Sequence, residues 1–286
     1  MLALLAAATL QFAEADAKVA YEATRDLVEN CTPRDAGTIR GRVAANRILD
    51  LASGYGADVR RDSFEVMTPA GRRTFSNLYA EFCGNPTGRW VVVVSHFDTK
   101  PGVACPGAND GASTTGLLVS LANLLANQRD HDCGNVLLVW TDGEESQGST
   151  YSENDGLQGS KQAVRHVQAK NYDVRAVLCL DMLGDSDLNI TIPKNGSETL
   201  ARIALHAAKR AGLEGLVRRL PLEVKDDHVA FLDAGYKAVD FIDFEYGSKP
   251  GANDYWHTEA DTMAHVSQES LLKSGRLVVE MLNILR

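Results

Sequence analysis

Four runs along the chain are apolar almost without interruption: residues 90–95 (WVVVVS), 135–141 (NVLLVWT), 175–180 (RAVLCL) and the shorter 238–242 (AVDFI). A strand covered on both faces reads this way, because neither set of alternate side chains meets water. Two further runs, 59–66 and 75–82, alternate more and flank the turn Pro69-Ala70-Gly71, so they predict a hairpin. Apolar residues at helical spacing predict helices over 17–28, 38–51, 112–126, 160–169, 198–211 and 268–285, with a turn at 35–37 between the first two. Buried strands alternating with helices predict an α/β sandwich around a largely parallel sheet. No linker, internal repeat or low-complexity stretch divides the chain, so a single domain is the simplest account.

Composition narrows this picture. The 286 residues are 44% hydrophobic and 23% charged, which excludes a disordered tail, a fibre and a multi-span membrane protein. The formal charge is −9 and the pI near 5.3, and the basic residues come mostly as isolated pairs such as Arg60-Arg61 and Arg218-Arg219. No basic face is gathered for phosphates, so nucleic acid is not an expected partner. The five cysteines contain no C-x-x-C pair, which removes zinc ribbons and thioredoxin-type motifs. Residues 2–10 (LALLAAATL) resemble the apolar core of a secretory signal, followed by small-residue sites at 13–15 and 15–17, although no Lys or Arg precedes them. The reading taken is a signal remnant over 1–11, a single domain over 12–286 and an extracytoplasmic location. The same stretch is too short to span a bilayer as a helix.

The segments just past the buried runs carry the chemistry. After 90–95 comes His96-Phe97-Asp98, then Gly107-Ala108-Asn109-Asp110-Gly111 just before a helix. After 135–141 comes Asp142-Gly143-Glu144-Glu145, and after 175–180 comes Asp181-Met182-Leu183-Gly184. Beyond the fourth run stands Trp256-His257-Thr258. Open α/β sheets bind ligands at the carboxyl ends of their strands. A single His or Asp there is ordinarily a cap or turn residue; several such segments together make a metal centre. Two imidazoles and three carboxylates exceed one tetrahedral ion and suit two ions sharing a carboxylate. Asp110, in a tight loop beside glycine, is the natural bridge. His96 and Asp181 would complete one ion, and Glu145 and His257 the other. Neighbouring side chains diverge, so Glu144 stays free to act as general base and acid. Asp98, two residues beyond His96, can orient its imidazole.

These segments resemble the zinc-dependent exopeptidases of peptidase family M28 and the glutaminyl cyclases that share their fold. The likeness also takes in Gly156-Leu157-Gln158-Gly159-Ser160, Asp226-Asp227-His228 and 256–262 (WHTEADT), and runs from about Phe12 to the C-terminus. It implies a three-layer αβα sandwich with a mixed sheet of about eight strands, substrates that are peptide or protein N-termini, and a cis Asp110–Gly111 peptide. It leaves two branches. In the aminopeptidases two zinc ions serve the attack of water on the first peptide bond. In the cyclases one zinc polarises the γ-amide of an N-terminal Gln while a Glu shuttles the proton. All five ligands of a two-metal site are present, and Asp261-Thr262 follow His257 in the aminopeptidase manner. Trp256 before His257, Asp227 within Asp-Asp-His, and the segment 96–100 (HFDTK) follow the cyclases. The aminopeptidase is placed ahead because hydrolysis is the commoner activity on this scaffold.

Other chemistries lack their signatures. No G-x-S-x-G elbow, H-E-x-x-H helix or G-x-x-x-x-G-K-[ST] loop occurs. A non-catalytic peptide-binding domain would be expected to have lost ligands. Trp256, Tyr255, Tyr246, Phe244 and Phe231 are the expected apolar lining of the substrate pocket.

Overall fold

The computed structural model describes residues 9–69, 71–85, 87–128, 134–148 and 155–286. The hairpin is present as β1 (Val59–Thr68) and β2 (Gly71–Cys83), antiparallel throughout. The four apolar runs form β3 (Trp90–His96), β4 (Asn135–Thr141), β5 (Val174–Asp181) and, near the C-terminus, β8 (Ala238–Ile242). Two short strands that the pattern does not predict, β6 (Ile190–Pro193) and β7 (Val217–Leu220), complete an eight-stranded sheet in the order β1-β2-β4-β3-β5-β8-β6-β7. The central block β4-β3-β5-β8 is parallel, whereas β2 pairs antiparallel with β4 and β6 with β8.

Strand alternation divides the core in two. On β3, Val91 and Val93 face one layer and Val92 and Val94 the other. The first layer holds α1 (Glu14–Cys31), α2 (Ile39–Gly54), α3 (Thr114–Ala126), α5 (Glu198–Arg210) and α7 (Gln268–Leu285). The second holds α4 (Gln158–Ala169) and α6 (His228–Asp233), which bring Val164, Val167 and Phe231 onto the sheet. This is the expected αβα sandwich. Residues 1–8 of the expected signal remnant lie outside the described residues. Leu10 and Phe12 are buried, the Leu10 amide donates to Asn283 Oδ1 at 3.0 Å, and α1 runs through the small-residue sites at 13–17. Among the described residues, no helix is long and apolar enough to cross a membrane.

This topology places the ligand segments together. From β3 the chain passes through α3 to β4 on one side, then through α4 to β5 on the other, so the order reverses at β3. That reversal opens a crevice at the carboxyl ends. Register does the rest: Val94 pairs with Cys179, so His96 and Asp181 end their adjacent strands side by side. The helix α3 lies close on α1 because Gly116 has no side chain. A Cβ there would sit 2.3 Å from Thr24 Oγ1 and 2.4 Å from the Ala20 carbonyl. Gly116→Ala is therefore expected to destabilise the fold by about 1–3 kcal/mol in urea denaturation, the usual range for overpacking a close contact.

Candidate metal centre

Asp110 reaches the crevice from a kinked turn, Ala108–Ser113, between β3 and α3, whose backbone leaves helical geometry at Asp110 and Gly111. The expected cis bond is not there: among the described residues the cis peptide is Thr32–Pro33, and Asp110–Gly111 is trans. The chain turns instead through Gly111 at φ 84°, ψ −41°, after Asp110 at φ −79°, ψ 103°. Only glycine suits the place, since a Cβ would stand 2.9 Å from the Asp98 carbonyl and 3.1 Å from the His96 ring.

Around this carboxylate the five sequence-derived ligands come together as two triads. Asp110 Oδ1 lies 3.2 Å from His96 Nε2, which is 3.1 Å from Asp181 Oδ1. Asp110 Oδ2 lies 3.3 Å from His257 Nε2, which is 2.6 Å from Glu145 Oε1. Two ligands of one tetrahedral ion with bonds of about 2.0–2.2 Å stand roughly 3.3–3.6 Å apart. Within each triad the donor atoms are all within 4.8 Å of one another, so either can close on an ion with small side-chain adjustments. The donor set, imidazole and carboxylate, is the set zinc takes. Among the described residues, two of the four non-glycine positions at positive φ are His257 and Met182, the neighbour of Asp181. Such conformations cost of order 1–3 kcal/mol and persist where surroundings over-determine them.

The remaining expected residues lie around the triads. Asp98, fully buried, accepts the amides of Glu144 and Glu145 at 3.2 Å each and lies 3.5 Å from His96 Nδ1. One carboxylate thus ties the His96 imidazole to the loop carrying Glu144. Gly159 lets α4 close on that loop: a Cβ there would be 2.7 Å from the Asp142 backbone, and the Leu157 amide donates to the Glu144 carbonyl at 2.9 Å. Glu144 and Glu145 both line a cleft of about 740 Å³ that opens over the triads. Trp256 lines it too, stacked on His257 with ring centroids 4.0 Å apart and facing Phe244 at 5.3 Å. The rest of the expected aromatic lining differs. Phe231 is core between α6 and the sheet, and Tyr246 is buried with its hydroxyl on Asp261. Tyr255 stacks on His265. Of the Asp-Asp pair, Asp226 lines the cleft, while Asp227 lies behind it and accepts from Thr141 Oγ1 at 2.5 Å.

Sequence reasoning passed over two participants, Asp240 and Arg34, and gave a third, Asp261, no role at the loop. Asp240, mid-strand on β8, joins Asp226 and Cys179 in a buried cluster behind Asp181. The polar residue inside an apolar strand, AVDFI, was the available signal. Arg34 and Asp261 contact the Asp110 loop from either side; Arg34, in a Pro-Arg-Asp turn, carries no signal in one sequence.

Burial alone would hold both imidazoles below their ordinary value. Hydrogen bonds that both imidazoles donate to Asp110, that His96 donates to Asp181 and that His257 donates to Glu145 outweigh it, raising His96 well up and His257 to about 10. Burial raises Asp181 and Asp226 to about 6 each, with neighbouring carboxylates adding to it. Burial and then the charge of Glu145 push Glu144 well above the carboxylate range.

A buried, partly strained set of imidazoles and carboxylates at a strand-reversal point defines a metal-dependent enzyme centre. Residues 77–282 match the model of peptidase family M28, and the chain belongs to that family. It is 29% identical over 194 residues to aminopeptidase YwaD of Bacillus subtilis, covering 66% of this chain but 39% of the relative. It is 26% identical over 258 residues to the glutaminyl-peptide cyclotransferase of Drosophila melanogaster, covering 80% of this chain and 70% of the relative. The crystal structure of an Acidobacteriales bacterium glutaminyl cyclase is similar with a TM-score of 0.86 at 29% identity, covering 100% of this chain and 98% of that one.

Because the metal-free imidazoles hold protons up to high pH, an entering ion must displace them. Apparent zinc affinity should fall as pH drops from 9 to 6. Titration calorimetry in buffers of different ionisation enthalpy is expected to show proton release on binding at pH 7, roughly one proton per protonated imidazole displaced.

Proposed function

We propose that this chain cyclises the N-terminal glutaminyl residue of peptides, releasing ammonia. The observation that carries the reading is the extent of the sequence likeness: the Drosophila melanogaster cyclotransferase matches over 80% of this chain and 70% of its own length, whereas aminopeptidase YwaD matches over 66% and 39%. Trp256 against His257 and Asp226 beside Glu144 in the cleft support it. The implied group is zinc, which Asp110, Glu145 and His257 would hold and which when bound would supply a Lewis acid for the γ-carboxamide carbonyl.

The residues of the chain do the remainder. The substrate α-amine must lose a proton as its nitrogen bonds to the amide carbon, and the departing nitrogen must gain one to leave as ammonia. Glu144, pushed up by burial, suits both halves of that exchange, taking the first proton and giving the second. Asp226, in the same cleft, keeps the local charge from building as the proton moves. Trp256 and Phe244 form an apolar wall that folds the glutamine side chain back toward its own amine and excludes the water that would hydrolyse it. His96, held between Asp110 and Asp181, serves in this reading as a fixed positive charge rather than as a metal ligand.

The second reading, a zinc aminopeptidase, is favoured by one observation: both triads are complete and share Asp110. His96 and Asp181 would then hold a second ion, and Glu144 would take the proton of the attacking water. Either way the residues 12–286 act as a single catalytic domain on peptide N-termini, and the apolar run at 2–10 supports an extracytoplasmic location.

Incubation with an N-terminal glutaminyl peptide should give the pyroglutamyl product and ammonia, abolished by a chelator and restored by zinc. Release of free glutamine, or turnover of aminoacyl chromogenic substrates without cyclisation, would favour the aminopeptidase. Glu144→Gln should keep zinc and lose about 10²–10⁴-fold in kcat, whereas Glu145→Ala should lose zinc as well, as metal analysis of both variants would read.

A further inference from the structure

Asp110 can serve two triads only if its loop is held in place, and the two groups that hold it are both buried charges. Arg34 is completely buried, yet among the described residues its guanidinium meets no carboxylate within hydrogen-bonding distance. It donates instead to backbone carbonyls: Nε to Phe97 at 2.7 Å, Nη1 to Pro106 at 2.8 Å, and Nη2 to Gly107 at 2.7 Å and Asp110 at 3.4 Å. Asp261 is also fully buried and takes the amides of the same loop. Its Oδ1 accepts from Asn109 N at 2.7 Å and from the Tyr246 hydroxyl at 2.8 Å, and its Oδ2 accepts from Asp110 N at 3.2 Å. The side chain of Asn109 then carries the loop to the next ligand segment, its Oδ1 accepting the Gly184 amide at 2.8 Å.

We propose that Arg34 and Asp261 are a pair of positioning residues that clamp the 107–110 backbone between opposite charges and thereby fix the aim of the Asp110 carboxylate. A guanidinium collects carbonyl oxygens in a planar fork that an ammonium cannot reproduce. A carboxylate collecting adjacent amides does the reverse. The peptide dipoles between them are polarised in one direction, so each charge strengthens the grip of the other in the low-dielectric interior. The loop leaves no room for drift on the cation side: a Cβ on Gly107 would be 2.6 Å from Arg34 Nη2. Neither residue touches a substrate or a metal position. Both act through Asp110, as partners of ligands do elsewhere, where their loss commonly weakens metal binding 10–100-fold.

The clamp rests on the metal centre and not on which reaction it performs. The test compares Arg34→Lys, Asp261→Asn and the double variant by zinc affinity in chelator competition and by the d–d spectrum of the cobalt-substituted protein. Asp243→Asn is the control: Asp243 is an equally buried carboxylate that accepts two backbone amides, of Asn189 and Glu245, away from the ligand loop. Each clamp variant should bind zinc roughly 10–100-fold more weakly with an altered cobalt spectrum. The double variant should bind about as weakly as the worse single one, since both act on one loop. The control should lose stability with affinity and spectrum unchanged. Tyr246→Phe removes one hydrogen bond from Asp261 and keeps the ring; it should cost roughly 2–10-fold in affinity even if the charge variants do not fold. Unchanged affinity and spectrum in the folded variants would overturn the clamp. So would unchanged affinity in Tyr246→Phe alone, should the charge variants fail to fold. A wild-type protein that takes up no zinc would overturn the metal centre itself.

Discussion

One carboxylate serving two imidazoles is the constraint on which the site depends. Asp110 turns Oδ1 toward His96 and Oδ2 toward His257, and each imidazole has a second acid beyond it. Such a set cannot be left to side-chain freedom. Three parallel strands in register bring His96, Asp181 and the loop after β4 to one edge. Asp98 joins the first of these to the base-bearing loop through two amides. Gly111, Gly159 and the clamp on the 107–110 backbone remove the slack that remains. The large apolar core on both faces of the sheet stabilises the molecule enough to hold this crowding of acids away from water.

The same crowding sets the chemistry. Asp181, Asp226, Asp227 and Asp240 lie behind or beside Glu144, and burial raises all four, against the lowering charge of His96 on the first three. A transfer that takes a proton from an amine and returns it to ammonia needs such a protonatable environment and consumes no net proton. His96 adds a positive charge that is fixed between two acids. In the proposed reaction the wall formed by Trp256 and Phe244 would limit water at the reacting end of the cleft. The proposed cyclisation would use each of these features at once.

Much of this was legible in the chain. The continuous runs 90–95 and 135–141 read as strands covered on both faces, and the residues that terminate them are polar types that the interior of such strands seldom carries. The segments His96-Phe97-Asp98 and Asp142 to Glu145 therefore declared themselves. β6 and β7 did not, because four residues such as ITIP carry too little periodicity; their pairing with β8 and each other is decided by tertiary contact. The cis bond expected at Asp110 was unnecessary once a glycine at positive φ could turn the chain. Phe231 and Tyr246 look like pocket aromatics by proximity in sequence, yet strand and helix geometry turns them inward. Arg34 was invisible for a different reason: its partners are backbone carbonyls 60 or more positions away, at Phe97, Pro106 and Gly107, and no side-chain pattern records them.

The central claim is that one ion suffices, with His96 taking the place of a second. The most direct test is zinc content per chain after dialysis, by atomic emission, for the wild type and for Asp181→Asn and Asp110→Asn. The account predicts one retained zinc in the wild type, one in Asp181→Asn and none in Asp110→Asn. Two retained ions in the wild type, with one lost in Asp181→Asn, would contradict it and assign His96 and Asp181 to a second metal.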